Sequence, residues 1–155
     1  MYDRKVISAL LEFFPRRSLV LDVNKADQVM SNYQYGTWYI GGHSMGGASA
    51  GMYASAHPDQ IDGLFLVAAY TTKPVTADEN MIVLSVYGDH DGVLSLHRVE
   101  ECRQNATEAQ YHEVIIPGGN HGQFGDYGMQ TGDHIATITA EEQRAQTIRA
   151  WVQWM

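Results

Sequence analysis

The sequence predicts an α/β fold: a mostly parallel sheet with helices on both faces, formed by a single domain of 155 residues. From residue 36 onward, short apolar runs alternate with segments of helical periodicity. Two of these runs, residues 63–70 and 81–87, are apolar almost throughout, as expected of strands covered on both faces. The order strand, helix, strand, helix, strand favours parallel pairing through crossover connections.

The first 35 residues have the least regular pattern. Residues 6–14 are apolar and fit either a strand or a helix, and we favour a strand. Residues 25–33 have helical spacing, with Asn24 as the expected N-cap. The apolar positions of this helix share one side: Ala26, Val29, Met30 and Tyr33.

Residues 37–41 predict the strand that follows. A helix of small residues is expected from Met45 to His57, ended by Pro58. An interior glycine costs a helix about 1 kcal/mol relative to alanine, so repeated glycines there indicate close packing. The helix contains three of them: Gly46, Gly47 and Gly51.

The C-terminal third continues the alternation. Ser95 is the expected N-cap of a helix that extends to about Asn105, and residues 111–116 predict the next strand. Thr139 and Glu142 form a capping box that opens a last helix. Its core-facing stripe is expected to be apolar: Ala145, Ile148, Val152 and Met155.

Composition narrows the classes of function. A formal net charge of −8, without clustered Lys or Arg, disfavours nucleic acids and anionic membranes as partners. No apolar run approaches the ~18 residues of a membrane span, and the N-terminus has no clean signal-peptide pattern. The single cysteine, Cys102, cannot form an internal disulfide. These features predict a cytoplasmic protein.

The strongest functional signal is the G-x-S-x-G pattern at residues 42–46, GHSMG. In this pattern the serine lies on a strained turn between a strand and a helix, and small neighbours allow the turn to pass close to the sheet. The predicted strand and helix on either side supply that context. Ser44 is therefore the candidate nucleophile, and the Met45 N–H is a candidate oxyanion donor. The alternative is a glycine-rich turn with an incidental serine.

Two more glycine-rich turns follow predicted strands, where functional groups gather in parallel sheets. Residues 88–92, GDHDG, offer Asp89 and Asp91 as competing candidate acids, with turn formation as the alternative. A metal site is disfavoured because this stretch has too few oxygen ligands. Residues 118–122, GGNHG, offer His121 as a base. Five other histidines fit ordinary surface or core positions: His43, His57, His97, His112 and His134. The chain order Ser, Asp, His is one of the three known triad orders.

These segments resemble the α/β-hydrolase superfamily in its dienelactone-hydrolase-like branch. The resemblance covers nearly the whole chain and is most specific at residues 118–128, GGNHGQFGDYG. It implies that Asp91, rather than Asp89, completes a triad with Ser44 and His121. Three side chains after the histidine are candidates to line the substrate pocket, with loop packing as the alternative: Gln123, Phe124 and Tyr127.

The chain departs from the family pattern at its front. Family members have further N-terminal strands, one of which ends in a glycine-containing loop that supplies a second oxyanion amide. The resemblance therefore implies an N-terminally incomplete domain over residues 1–155. It also implies a gap between the strand near residues 6–13 and the nucleophile strand. Either the remaining strands close up, or the uncovered edge pairs with a second copy of the chain, giving a homo-oligomer.

The chemistry implied is hydrolysis of a carboxylic ester, thioester or lactone through an acyl-enzyme, without a metal or other cofactor. The expected partner is a small-molecule acyl substrate. Acyl transfer to an acceptor other than water uses the same residues and stays open. The alternative from another class is a catalytically impaired fragment or a non-catalytic α/β-hydrolase-like module.

Overall fold

The computed structural model describes residues 25–75, 81–106, 110–126 and 128–154. By its internal contacts the chain divides into residues 1–35 and residues 36–155. The described part of the first unit contains one helix, α1 (Lys25–Met30), which ends before the predicted limit at residue 33. The strand expected near residues 6–14, the Asn24 cap and the expected gap in the sheet fall outside the described residues and stay predictions.

The described part of residues 36–155 contains four strands and three α-helices. Single 3₁₀ turns follow the first of these helices, at Pro58–Gln60, and the last strand, at Gly122–Phe124. In chain order the elements are β1 (Tyr39–His43), α2 (Met45–Ala56), β2 (Gly63–Val67), β3 (Ile82–Gly88), α3 (Leu96–Asn105), β4 (Gln110–Ile116) and α4 (Ala140–Trp154).

The strands pair in the order β1-β2-β3-β4, and every pairing is parallel. Strand β2 is buried at all positions, and β3 is buried at all positions after Ile82. The prediction of apolar strands covered on both faces is therefore confirmed. Because the strands are parallel, the turns that follow β1, β3 and β4 all lie at the same edge of the sheet.

Helices pack on both faces of this sheet, as predicted. On one face, Trp151 of α4 stacks on Phe65 of β2, with ring centroids 5.5 Å apart. Alternate residues of a strand point to opposite faces. Val86 belongs to a core cluster under α4, which consists of Phe65, Leu84, Val86, Ile116 and Ala150. The next residue of β3, Tyr87, packs with Val99 of α3 on the other face.

The face of α4 that packs on the sheet is not the predicted one. Ile148 and Val152 are 57% and 67% exposed. The buried positions are Gln143, Thr147 and Ala150. The predicted stripe was wrong because hydropathy assigns glutamine and threonine to the surface, whereas hydrogen bonds satisfy both side chains here. Met155, the last position of that stripe, lies outside the described residues.

Strand β1 begins and ends two residues later than the predicted strand at residues 37–41. The sequence placed Gly41 at the end of the strand and Gly42 in the turn, but both belong to β1. A Cβ on Gly41 would lie 2.6 Å from the Phe65 carbonyl oxygen, and one on Gly42 would lie 2.5 Å from the Gly46 carbonyl carbon. These glycines are therefore required by close backbone approach within the strand.

The glycines of α2 are not equivalent. A Cβ on Gly47 would collide with the Ala69 side chain and would lie 2.6 Å from the Gly42 carbonyl oxygen. A Cβ on Gly51 would lie 2.6 Å from the Thr71 Cβ. By contrast, a Cβ on Gly46 would meet nothing within 4 Å. Gly47 and Gly51 thus bring α2 close to the segment that follows β2.

This difference predicts opposite effects of alanine at neighbouring positions. Gly47→Ala should lower the free energy of unfolding by about 1–3 kcal/mol, because the added methyl group overpacks the contact between α2 and the sheet. Gly46→Ala should leave it unchanged or raise it by up to about 1 kcal/mol, because alanine favours the helix. Urea unfolding of both variants measures the difference, and equal effects would contradict this account of the packing.

Candidate active site

Ser44 lies on a strained turn between β1 and α2. Its backbone has φ 53° and ψ −119°, in a region that costs a residue other than glycine about 1–3 kcal/mol. The Ser44 amide donates to the Val67 carbonyl (2.9 Å), and the Ser44 carbonyl accepts from the Ala48 amide (3.1 Å). The turn is therefore fixed to β2 on one side and to α2 on the other. Strain held in place by its surroundings is typical of functional turns.

Met45 is the first residue of α2, and its side chain is 44% exposed. An amide in the first turn of a helix has no acceptor within the helix, so it is available to a ligand. This position suits the oxyanion donor predicted for Met45, and that role stays a prediction. The loop that would supply a second amide in the family pattern is not among the described residues.

Asp91 follows β3 and lies against His121, the residue expected to be the base. Its Oδ2 is 2.8 Å from the His121 Nδ1. Its other carboxylate oxygen, Oδ1, accepts the amides of Val93 (2.9 Å) and Leu94 (2.8 Å). The Asp91 side chain is 1% exposed. The two carboxylate oxygens therefore act separately, since one holds the turn after β3 and the other holds the imidazole.

Asp89, the competing candidate acid, has a different partner. It accepts the Gly118 amide at 2.6 Å and so ties the turn after β3 to the turn after β4. The same two turns touch at Gly88, where an added Cβ would collide with the Gly119 carbonyl. Of the two aspartates, only Asp91 contacts the histidine among the described contacts.

His121 is 1% exposed, and its two ring nitrogens have different surroundings. A carboxylate oxygen only accepts hydrogen bonds, so Nδ1 donates to Asp91, and in the neutral imidazole Nε2 then carries the lone pair. Nε2 is buried and has no hydrogen-bond partner in the described part of the chain. The described hydrogen bonds do not join it to the Ser44 hydroxyl, a bond that is often long in unliganded enzymes.

His43, the residue before Ser44, contacts the histidine that Asp91 binds. It packs on the His121 ring with centroids 4.6 Å apart and on Phe124 at 5.8 Å. Burial, and then the proximity of His121, lower the pKa of His43 to about 4, although Asp91 and Asp133 act in the opposite direction. His43 is therefore neutral at pH 7. No pattern in the sequence indicated this contact, because the two histidines are far apart in the chain.

The three predicted substrate-lining residues have separate outcomes. The Gln123 side-chain nitrogen Nε2 donates to the Ile138 carbonyl (3.1 Å) and to Gln143 Oε1 (3.3 Å). Phe124 packs against the core cluster under α4 and against His43. Both sets of contacts are those of loop packing, and their role in binding substrate stays a prediction. Tyr127 lies outside the described residues.

Other classes of site find little support in the described ranges. Cys102 is 1% exposed, and burial raises the pKa of its thiol, so it is not placed as a nucleophile. No group of three His, Cys, Asp or Glu side chains within residues 25–75, 81–106, 110–126 and 128–154 is arranged to hold a metal ion. No helix in those ranges is long and apolar enough to cross a membrane.

The fold and the order of these residues match a known family. The model of the alpha/beta hydrolase family matches residues 7–145, and the chain belongs to this family. No curated protein sequence matches it significantly.

Solved structures with the same fold include two of low sequence identity. One is described in a study of carboxylesterases of the thaumarchaeon Nitrososphaera gargenis, with 12% identity, a TM-score of 0.56, and coverage of 84% of this chain and 70% of that chain. The other is a CIB-like hydrolase from Thermoplasma acidophilum, with 21% identity, a TM-score of 0.52, and coverage of 86% and 60%. The chain thus spans less than two thirds of the second structure, and at these identities the likeness shows the fold.

The depressed pKa of His43 predicts a pH-dependent loss of stability. The unfolded chain protonates this histidine near pH 6.5, whereas the folded chain does so only near pH 4. As the pH falls from about 7 to about 4.5, His43 should therefore lower the free energy of unfolding by about 2 kcal/mol. In His43→Phe, which keeps a ring but cannot titrate, the decline should be smaller by that amount.

Urea unfolding across this pH range measures the effect. His97→Phe is the matched control, because it makes the same substitution at a side chain that is 80% exposed. If His43→Phe and the wild type lose stability in parallel as the pH falls, the account of His43 is wrong.

Proposed function

We propose that the chain is a serine hydrolase that cleaves a carboxylic ester, thioester or lactone, with Ser44 as nucleophile, His121 as base and Asp91 as acid. The observation that carries this proposal is the buried hydrogen bond of 2.8 Å between Asp91 Oδ2 and His121 Nδ1. This pair lies at the same edge of the sheet as the strained turn of Ser44. Membership of the α/β-hydrolase family supports the same assignment.

Each step of the proposed reaction uses an atom with suitable surroundings. In the neutral imidazole, His121 Nε2 accepts the Ser44 proton as the hydroxyl oxygen attacks the carbonyl carbon. The Met45 amide donates to the oxyanion that forms. His121 then gives the proton to the leaving group, and water, activated in the same way, hydrolyses the acyl-enzyme. Asp91 holds the imidazole tautomer and stabilises its cation.

The environment of the pair suits this chemistry. Both side chains are almost completely buried, so water does not compete for their hydrogen bond. His43 packs on the imidazole as a neutral ring, because its pKa is lowered to about 4. A protonated His43 would place a second positive charge beside the imidazolium that forms during the reaction. Keeping His43 neutral therefore favours the charged intermediate.

A second candidate function is a non-catalytic or impaired module of the same fold. The observation that favours it is that no described hydrogen bond joins His121 Nε2 to Ser44. The two candidates differ in one measurable property, the reactivity of the Ser44 hydroxyl. An acyltransferase, by contrast, would share that reactivity and would differ only in the acceptor of the acyl group.

A fluorophosphonate probe tests the nucleophile. The wild type should take up one label, and Ser44→Ala should take up none and lose about 10⁴–10⁶-fold in turnover of an activated ester. Ser49→Ala is the matched control. Ser49 lies on α2, the helix that begins directly after Ser44, and its hydroxyl donates to the Met45 carbonyl. An unlabelled wild type would favour the non-catalytic module, and persistent labelling of Ser44→Ala would refute the choice of nucleophile.

Paired substitutions of the two aspartates test the acid. Asp91→Asn should lower kcat by about 10²–10⁴-fold, because an amide no longer enforces the Nδ1–H tautomer of His121. Asp89→Asn keeps an oxygen for the Gly118 amide and should lower kcat by less than about tenfold. Steady-state kinetics of both variants with one activated ester decide the matter. A larger loss in Asp89→Asn than in Asp91→Asn would reverse the assignment.

A further inference from the structure

Asp133 lies in the loop that precedes α4, and its carboxylate accepts four backbone amides. Oδ1 accepts the amides of Gly92 (3.2 Å), His121 (3.1 Å) and His134 (3.0 Å). Oδ2 accepts the amide of Gly122 (2.8 Å). Apart from the amide of the adjacent His134, these donors come from two turns that are distant in the sequence.

The two turns are those that carry the proposed acid and base. Gly92 immediately follows Asp91, and Oδ1 of Asp133 accepts its amide. The same oxygen accepts the amide of His121 itself. One carboxylate oxygen therefore joins the backbone next to the acid to the backbone of the base. It does so while the Asp91 and His121 side chains form their own bond of 2.8 Å.

Close backbone contact accompanies these hydrogen bonds. An added Cβ on Gly92 would collide with the carbonyl oxygen of Gly132, the residue before Asp133. The glycine after Asp91 is thus required because the Asp133 loop lies directly against the acid turn. A Cβ on Gly122 would likewise lie 2.8 Å from the Gly128 carbonyl oxygen.

The charge of Asp133 strengthens this arrangement. Partial burial acts to raise its pKa, but the four backbone amides outweigh burial and lower the pKa below its usual range. The carboxylate is therefore ionised at neutral pH, and its hydrogen bonds are of the stronger, charge-assisted kind. The same charge acts on His43, whose pKa it raises against the larger effect of burial.

Other residues also bind the turn that carries His121, but their hydrogen bonds do not reach the residue after Asp91. Gln143 of α4 donates to the Asn120 carbonyl (2.8 Å) and accepts its amide (3.0 Å), which fixes the base turn to the helix. Asp89 binds Gly118, three residues before the base. Among the described hydrogen bonds, those of Asp133 alone join the residue after the acid to the base itself.

From this geometry we propose that Asp133 is a positioning residue that keeps Asp91 and His121 at hydrogen-bonding distance. The proposal rests on the function proposed above for those two residues. Asp133 contacts neither the Ser44 hydroxyl nor a reacting ring nitrogen in the described contacts. It acts on the backbone from which the acid and the base project.

Asp133→Asn tests the proposal with little change of shape. An amide offers one acceptor oxygen instead of two, so its NH₂ group must face at least one backbone N–H donor. Asp126→Asn is the matched control, because it removes the same charge from an exposed position of the same connection between β4 and α4. Thermal unfolding establishes that each variant is folded.

Two measurements then separate positioning from a general loss of structure. The first is the downfield NMR signal of the His121 Nδ1–H proton. This signal is assigned by its loss in Asp91→Asn, and it is recorded in Ser44→Ala as well. The second is kcat and KM for an activated acetate ester. In folded Asp133→Asn the signal should broaden or vanish, and kcat should fall about 10–10²-fold with KM within about threefold of the wild type. Asp126→Asn should match the wild type in both.

Every outcome decides the matter. The proposal is overturned if Asp133→Asn keeps the proton signal, or keeps kcat within about twofold of an active wild type. If Asp133→Asn does not fold, Asp133→Ser replaces it, since its hydroxyl oxygen still accepts some of the same amides. If neither folds, Asp133 serves stability alone and positioning is refuted. If the wild type lacks turnover but shows a signal that Asp133→Asn loses, the proposed hydrolase function fails while the positioning role stands.

Discussion

Main-chain segments at the carboxyl edge of the sheet approach one another too closely for a side chain to fit between them. Gly88 lies against the Gly119 carbonyl, and Gly92 lies against the Gly132 carbonyl. This closeness places backbone amides within reach of carboxylates on neighbouring turns. The hydrogen bond between Asp91 and His121 depends on it, because both residues project from turns whose separation is set by glycine.

Much of the fold was predictable because each buried strand of a parallel sheet corresponds to one continuous apolar run in the sequence. Apolar runs bounded by glycine or proline predicted β2, β3 and β4 to within a few residues. Strand β1 was misplaced by two residues because glycine serves two physical purposes, chain reversal and close approach, and a single sequence does not distinguish them. The positions of Ser44, Asp91 and His121 after separate strands followed from the same local patterns.

What could not be predicted depends on partners far along the chain. Gln143 is fully buried on α4, because the backbone of Asn120 satisfies both ends of its amide. Hydropathy assigned the opposite face of α4 to the core, because it does not include these hydrogen bonds. Asp133 was missed for the same reason: in the sequence it fits an ordinary turn, and its partner Gly92 lies 41 positions earlier. The choice of Asp91 over Asp89 came from family resemblance, since both follow the same strand.

The reactivity of the buried Cys102 thiol can report how often the native protein opens at α3. It is the single cysteine of the chain, it is 1% exposed on α3, and its sulfur accepts the Thr71 amide at 3.4 Å. A thiol reagent can reach it only after α3 separates from the sheet or the chain unfolds. The rate of alkylation in the native protein therefore measures the free energy of that opening, at one position and without an introduced label.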